Sequence, residues 1–271
     1  MQKNENDISM VSAQYGNSHR LSIMRDFHTR ITRSGPTPFQ HSYGVMSSGT
    51  NLHVIDVGCG VGGFWNDFNN FQFVSSVELL DKRIDLINEA QSVIHSKGIQ
   101  NISIRQIDLN DEIYKAHQRA DYILAHQVYH HLLKPERLHI NLINQLASHG
   151  ALLVTTCNVE HMYEIYIEIS NYFGIAYEEI RGLSHFNGGH LQEMPNLTRV
   201  TNLNGYIYCD SAALLCDYVN SLAIWHRVHG ISGSDIYDFH EYLKAWASEH
   251  IQRRGSVRLT QSVSHSVFRN C

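Results

Sequence analysis

Three acids and a run of alternating glycines carry the chemistry that is most legible in this chain. The segment Val54-Ile55-Asp56-Val57-Gly58-Cys59-Gly60-Val61-Gly62-Gly63 follows a β-branched strand pattern and precedes a short helical pattern, Phe64 to Phe68. Glycines at every second position permit a turn with positive φ, let a ligand approach the backbone, and aim amides at the next helix's N-terminus toward it. A dinucleotide site uses G-x-G-x-x-G, and Gly63 supplies that third spacing, so this reading stays open. Asp56, two residues before the first glycine, favours an amino group over a pyrophosphate. Glu78 is expected to end the second strand, about 20 residues past the glycines, where a carboxylate can accept both hydroxyls of a ribose. Asp108 is expected to end the third strand, where an acid can take an adenine amino group. Singly, each acid reads equally well as a helix N-cap. Three acids closing three successive parallel strands mark the edge at which open α/β sheets bind ligands.

The elements that must position these residues follow a regular rhythm from Asn51 onward. Strand patterns recur at Val54 to Val57, Phe73 to Glu78, Ile102 to Asp108, Tyr122 to Leu124 and Ala151 to Thr156. Helical patterns lie between them, Lys82 to Ser96 before Gly98 and Pro135 to Ser148 before Gly150, each with glycine just past its end. Alternation of this kind predicts a mostly parallel, doubly wound α/β sheet with helices on both faces. A helix over Glu160 to Phe173, a strand near Arg199 to Tyr208, helices over Ser211 to His229 and Asp235 to Arg253, and a last strand over Ser256 to Phe268 complete the expectation. The chain then divides into an N-terminal helical arm (1–50), a cofactor-binding core (51–210), a helical lid (211–254) and a final core strand (255–271).

The ordered motifs resemble those of the class I S-adenosylmethionine-dependent methyltransferases. Asp56-x-Gly58-x-Gly60-x-Gly62 resembles their first motif, Glu78 their ribose acid and Asp108-Leu109 their adenine pair. Ala120 to Leu132 resembles their fourth-strand segment, and Leu146 to Thr156 their approach to strand five, with Ser148-His149-Gly150-Ala151 in place of Pro-Gly-Gly. The match spans roughly residues 51 to 175. It implies a Rossmann-like, seven-stranded sheet with a lid before the last strand, S-adenosyl-L-methionine as cofactor, and binding by Asp56, Gly58, Cys59, Gly60, Gly62, Glu78, Leu79, Asp108, Leu109 and His126. Gly62-Gly63-Phe64-Trp65, Thr156 to Glu164 and Gly255 to Thr260 are similar to a bacterial subgroup acting on small molecules. Phe39 to Met46 lacks the Trp-rich arm of that subgroup.

Methyl transfer needs an in-line nucleophile held in a water-poor pocket, and orientation supplies much of the acceleration. Where the acceptor is a hydroxyl or an ammonium, a histidine is the natural proton acceptor. His126, His130 and His131 after strand four and His161 after strand five stand at the cofactor edge; His130 and His161 are the expected catalytic bases, and His131 packs below. The i, i+4 spacing of His126 and His130 would suit a metal, but no third ligand follows at fixed spacing, so no metal is expected. Trp225-His226-Arg227-Val228-His229 in the lid reads as a solvated helix end or as a cover for an anionic or aromatic acceptor. His185 and His190 flank it.

Composition bounds the rest. The 271 residues are 43% apolar and 17% charged, and formal charge is −5 with the 19 histidines neutral, or −5 + 19 = +14 with all protonated. No Lys/Arg block exceeds two residues, so nucleic acid is not an expected partner. No apolar run approaches the ~20 residues of a membrane span. The polar start, with Asn4, Glu5 and Asp7, lacks a signal-peptide pattern, which predicts a cytoplasmic protein. Five cysteines without a C-x-x-C pair read as reduced thiols. The expected function is methyl transfer to oxygen or nitrogen of a small-molecule acceptor in natural product biosynthesis. The rivals are non-methyl chemistry on the same fold and a non-catalytic interaction role; oligomeric state is not legible.

Overall fold

The computed structural model describes residues 18–181, 187–222, 225 and 231–270. In chain order its elements are α1 (Ser18–Arg30), β1 (Thr32–Ser34), α2 (Pro38–Met46), β2 (Leu52–Val57), α3 (Gly63–Asn66), β3 (Val74–Asp81), α4 (Ile84–Ser96), β4 (Asn101–Gln106) and β5 (Ala120–His126). A single 3₁₀ turn, Tyr129–His131, leads to α5 (Pro135–Ile143) and β6 (Leu146–Cys157). There follow α6 (Tyr163–Phe173), α7 (Tyr177–Arg181), α8 (Gly188–Gln192), β7 (Leu197–Cys209), α9 (Ala212–Ser221), α10 (Gly233–Arg254) and β8 (Val257–Arg269).

The strands hydrogen-bond in the order β1-β7-β8-β6-β5-β2-β3-β4, an eight-stranded sheet. The pairs β2 with β3, β2 with β5, β3 with β4 and β5 with β6 are parallel, while β8 runs antiparallel to β6. This is the expected Rossmann-like sheet with one strand more than the seven expected. The extra strand is β1, three residues inside the segment read as an arm, pairing Thr32 with Tyr208 and Ser34 with Tyr206.

The chain divides into two compact units. One comprises the described residues up to Gly35, of Val159–His185 and of Asn204–Ser262; the other comprises Pro36–Asn158, the described residues of Phe186–Leu203, and those from Val263 onward. In the first unit, α9 and α10, expected as a separate lid, share one core with α1 and α6: Phe27, Ile165, Ile169, Leu215, Val219, Phe239 and Leu243 are wholly buried together. A capping box, Ser232 with Asp235, starts α10, and Gly255 at φ 80° ends it.

The second unit holds the parallel strands and the glycine turn. All six residues of β2 are buried, as a central parallel strand between helix layers requires. On one sheet face Val54, Val77, Leu79, Leu124, Leu153 and Val267 pack with Trp65 and with Ile87, Ala90 and Ile94 of α4. On the other, Ile55, Val57, Leu80, Ile123, Leu152 and Phe268 pack with Leu138, Leu142 and Leu191. The apolar spacing of Leu86, Ile87, Ala90 and Ile94 explains why α4 forms and which side it buries. The helix expected to reach Ser148 stops at Ile143. Gly150 is no helix cap: it lies inside β6, where a Cβ would stand 2.7 Å from the Ala120 carbonyl oxygen. The close strand-to-strand approach is what requires glycine there.

Candidate cofactor and active site

β2 delivers the glycine turn at its C-terminal end, and the turn adopts the predicted backbone: Gly58, Gly60 and Gly62 have φ of 64°, 50° and 78°. Two of the three are dictated by packing. A Cβ on Gly58 would meet Val128 Cγ2 at 2.5 Å and one on Gly62 would meet Ala90 Cα at 3.0 Å, whereas beside Gly60 there is open space. The amides are used differently from the expectation. Gly58 N–H and Cys59 N–H donate to the Leu80 carbonyl at 2.7 and 3.0 Å, and Gly60 N–H donates to Asp81 Oδ2 at 3.0 Å. The turn is therefore braced by β3 itself.

That brace lies beside a strand end occupied by a different acid from the one expected. Glu78 was expected to end its strand, but β3 continues to Asp81. Glu78 pairs in register with Ile55, and Leu79 pairs with Asp56. Because side chains alternate along a strand, Leu79 and Asp81 share the face of Asp56, and Glu78 lies on the opposite face. Glu78 is 1% exposed, and Arg105 Nε stands 3.7 Å from its Oε1. Leu79, expected to touch the cofactor, is fully buried in the core. Asp81 was missed. It stands at the strand end, with Oδ1 accepting Arg83 N–H at 3.0 Å and Oδ2 accepting Gly60 N–H. Burial raises its pKa, against the stabilising pull of those amides. Counting in twos from Val77 would have found it.

Asp56 is 4% exposed and accepts the Trp65 indole N–H at 2.7 Å through Oδ2. Burial pushes its pKa up to about 7; the Trp65 hydrogen bond opposes the shift, and the Asp81 charge adds to it. Cys59, beside it, is buried, and burial first, then Asp56 and Asp81, push its thiol far up, which keeps it uncharged. Asp108 lies two residues past β4, its Oδ1 accepting Asn110 N–H at 3.0 Å. Leu109 packs partly buried against the core that holds Tyr114 and Val128. Asn110 Oδ1 in turn accepts Leu133 N–H at 2.8 Å, which ties the loop after β4 to the segment after β5.

His126 ends β5. Ser42 Oγ lies 2.8 Å from its Nε2, and the rings of Phe39 and Phe64 flank it at 5.0 and 5.3 Å. Burial, then the neighbouring His265, lower its pKa to about 3. Gln127 follows at φ 57°, a left-handed conformation that the surrounding bonds must hold. His130 sits in the 3₁₀ turn, its ring centroid 3.8 Å from that of His131. His161, the other expected base, belongs to the first unit. Its Nδ1 accepts Ser262 N–H at 3.2 Å, which fixes the ring proton on Nε2. That nitrogen is then a donor, so the bond argues against His161 as a base. His190 closes the capping box of α8 with Asn187. Trp225 donates to the Val219 carbonyl at 3.0 Å, while His185, His226, Arg227, Val228 and His229 lie outside the described residues. Among the described residues no three His, Cys, Asp or Glu side chains gather as a metal site would need, and no helix is long and apolar enough to cross a membrane.

Residues 48–219 match the methyltransferase domain family. The chain belongs to that family, the class I S-adenosylmethionine-dependent methyltransferases. Its fold is similar to that of a candidate methyltransferase of an antibiotic biosynthesis pathway from Anabaena variabilis, with 13% identity, TM-score 0.59, and 86% of this chain and 96% of that chain covered. It is also similar to a candidate methyltransferase from Bacillus halodurans, with 15% identity, TM-score 0.55, and coverage of 84% and 96%. A third is the plantazolicin methyltransferase BamL, solved with a desmethyl substrate analogue and S-adenosylhomocysteine, with 13% identity, TM-score 0.50, and coverage of 98% and 96%. No curated protein matches the sequence.

Proposed function

We propose that the chain transfers the methyl group of S-adenosylmethionine to an oxygen or nitrogen of a small-molecule acceptor in specialised metabolism. The observation that carries this is the placement of Asp56 and Asp81 on one sheet face, with Gly60 tied to Asp81 and bare of any side chain between them. Two structural neighbours, a candidate methyltransferase of an antibiotic biosynthesis pathway and the plantazolicin methyltransferase, support a small acceptor.

When bound, the cofactor supplies an electrophilic methyl group on a sulfonium. The chain holds and orients it. Asp81 has one lone pair on each oxygen committed to an amide, which leaves both oxygens able to accept ribose hydroxyls. Asp108 and Leu109 supply an acceptor and an apolar surface for adenine. Asp56, half protonated near pH 7 when alone, ionises beside a cationic amino group, because an opposite charge favours the charged form. His126 is neutral at physiological pH and adds no repulsive charge. Orientation of the acceptor in such a pocket is worth up to about 7–11 kcal/mol.

Calorimetric titration with S-adenosylmethionine, followed by S-adenosylhomocysteine release on a panel of phenols, carboxylates and amines, tests the reading. Binding with turnover on at least one acceptor is expected. Absence of binding refutes the proposal, and tight binding without turnover on any acceptor favours non-methyl chemistry.

A further inference from the structure

One row of the sheet is polar where the row beside it is aliphatic. Leu124, Leu153 and Val267 are paired across β5, β6 and β8, and the next same-face row is His126, Thr155 and His265. Thr155 is fully buried, and its Oγ1 meets no hydrogen-bond partner among the described residues. Ser42 of α2, also fully buried, covers the row: its Oγ stands 2.8 Å from His126 Nε2 and 3.0 Å from His265 Nε2. The titratable and charged groups around the row are His41 on α2, whose ring lies 5.6 Å from that of His265, and Arg199 on β7, which acts on both His41 and His265.

A serine hydroxyl has one proton, so one imidazole must accept from Ser42 and the other must donate to it. His265 is 2% exposed whereas His126 is half-buried, so only the order that leaves a ring nitrogen free on His126, with His265 Nε2 as the acceptor, can present that nitrogen to a ligand. The chain then runs in one direction, from His126 Nε2–H to Ser42 Oγ and from the Ser42 hydroxyl to His265 Nε2. His126 Nδ1 is left with the open lone pair, on a residue that is only partly buried, at the C-terminal end of β5.

We infer that His126, Ser42 and His265 form a relay that takes up the proton an acceptor must lose on methylation, with His126 Nδ1 receiving it. The inference rests on the methyltransferase reading above. In the step, the acceptor's lone pair forms the new bond to the methyl carbon while the carbon–sulfur bond breaks and leaves its electron pair on sulfur. The acceptor's proton passes to His126 Nδ1, the Nε2 proton to Ser42 Oγ, and the hydroxyl proton to His265 Nε2. The positive charge lost at sulfur reappears on the His265 imidazolium, so the charge of the site is conserved. Ser42 and His265 are positioning residues that act through His126. Burial lowers the pKa of both rings, to about 3 and about 4, so the resting row offers no cation to compete with a sulfonium.

Imidazole nitrogen spectra of the full-length, ¹⁵N-labelled chain, alone and with S-adenosylhomocysteine, read the relay without any turnover. The expected result at neutral pH is His126 protonated on Nε2 and His265 on Nδ1, with Ser42→Ala mixing the tautomers while S-adenosylhomocysteine still binds. His126 protonated on Nδ1, or tautomers unchanged in Ser42→Ala, would overturn the relay. Failure of S-adenosylhomocysteine to bind the native chain would overturn the cofactor reading instead, whatever the tautomers. On any acceptor that turns over, Ser42→Ala should lower kcat with KM unchanged and make kcat rise more steeply with pH, and Ser42→Thr should restore the native profile. An unaltered pH profile in Ser42→Ala would contradict the relay.

Discussion

Replacing Asp56 with Asn should remove a pH-dependent strain from the fold. In the folded chain Asp56 keeps its proton up to about pH 7, whereas unfolded it releases it near 3.8. Between those values the folded state binds more protons than the unfolded state, so raising pH costs stability. Linkage puts the penalty at about 2 kcal/mol at pH 5.5 and about 4 kcal/mol at pH 7.5. His28, His126 and His265, lowered chiefly by burial to about 4, about 3 and about 4, act in the opposite sense. Their contribution is present above pH 6.5 and is lost as pH falls toward those values, so the native curve alone mixes both effects. The difference between native and Asp56→Asn chains isolates the carboxylate, since Asn keeps an oxygen for the Trp65 indole N–H. Urea unfolding without added nucleoside at pH 5.5, 6.5 and 7.5 measures it. The variant should gain on the native chain by about 2 kcal/mol across that span. A difference that stays constant with pH would refute the argument.

Gly58→Ala should cost about 2 kcal/mol or more in urea unfolding, because it combines a left-handed φ with a Cβ 2.5 Å from Val128 Cγ2. Trp65→Phe removes the donor to a buried carboxylate and should cost about 1.5–3 kcal/mol beyond the lost volume. In the native chain, S-adenosylhomocysteine affinity should rise with pH toward about 7 as Asp56 ionises, and in Trp65→Phe that rise should move to higher pH, read by calorimetry across a pH series. His161→Gln should leave the pH profile of turnover unchanged, since the ring's Nδ1 already serves the Ser262 amide; a lost alkaline or acid limb would reinstate His161 as a base.

The parallel core was legible because its signals are local. Short β-branched runs alternating with amphipathic helical patterns admit few arrangements, and the positive φ at Gly58, Gly60 and Gly62 followed from their spacing. Asp81 was within reach of the same logic, since alternation assigns it to the face of Asp56 and puts Glu78 on the other, but locating the strand's end three residues early, at Glu78, hid it. Ser42 and His265 were not legible: they meet at one hydroxyl across 223 positions of sequence, and no periodic pattern encodes such a contact. Trp65 could be read only as an aromatic after glycines, because its bond to Asp56 depends on how α3 turns back on β2. Helices α9 and α10 were readable as helices. Their shared core with α1 and α6 depends on long-range packing that propensity does not report.

Titration of the native, Asp81→Asn and Glu78→Gln chains with S-adenosylhomocysteine tests the central claim most directly. Losing a charged acceptor at the ribose should weaken binding by Asp81→Asn about 10- to 100-fold, while Glu78→Gln, on the opposite face, should bind as the native chain does. Equal affinity in native and Asp81→Asn chains, or the loss appearing in Glu78→Gln instead, would contradict the account.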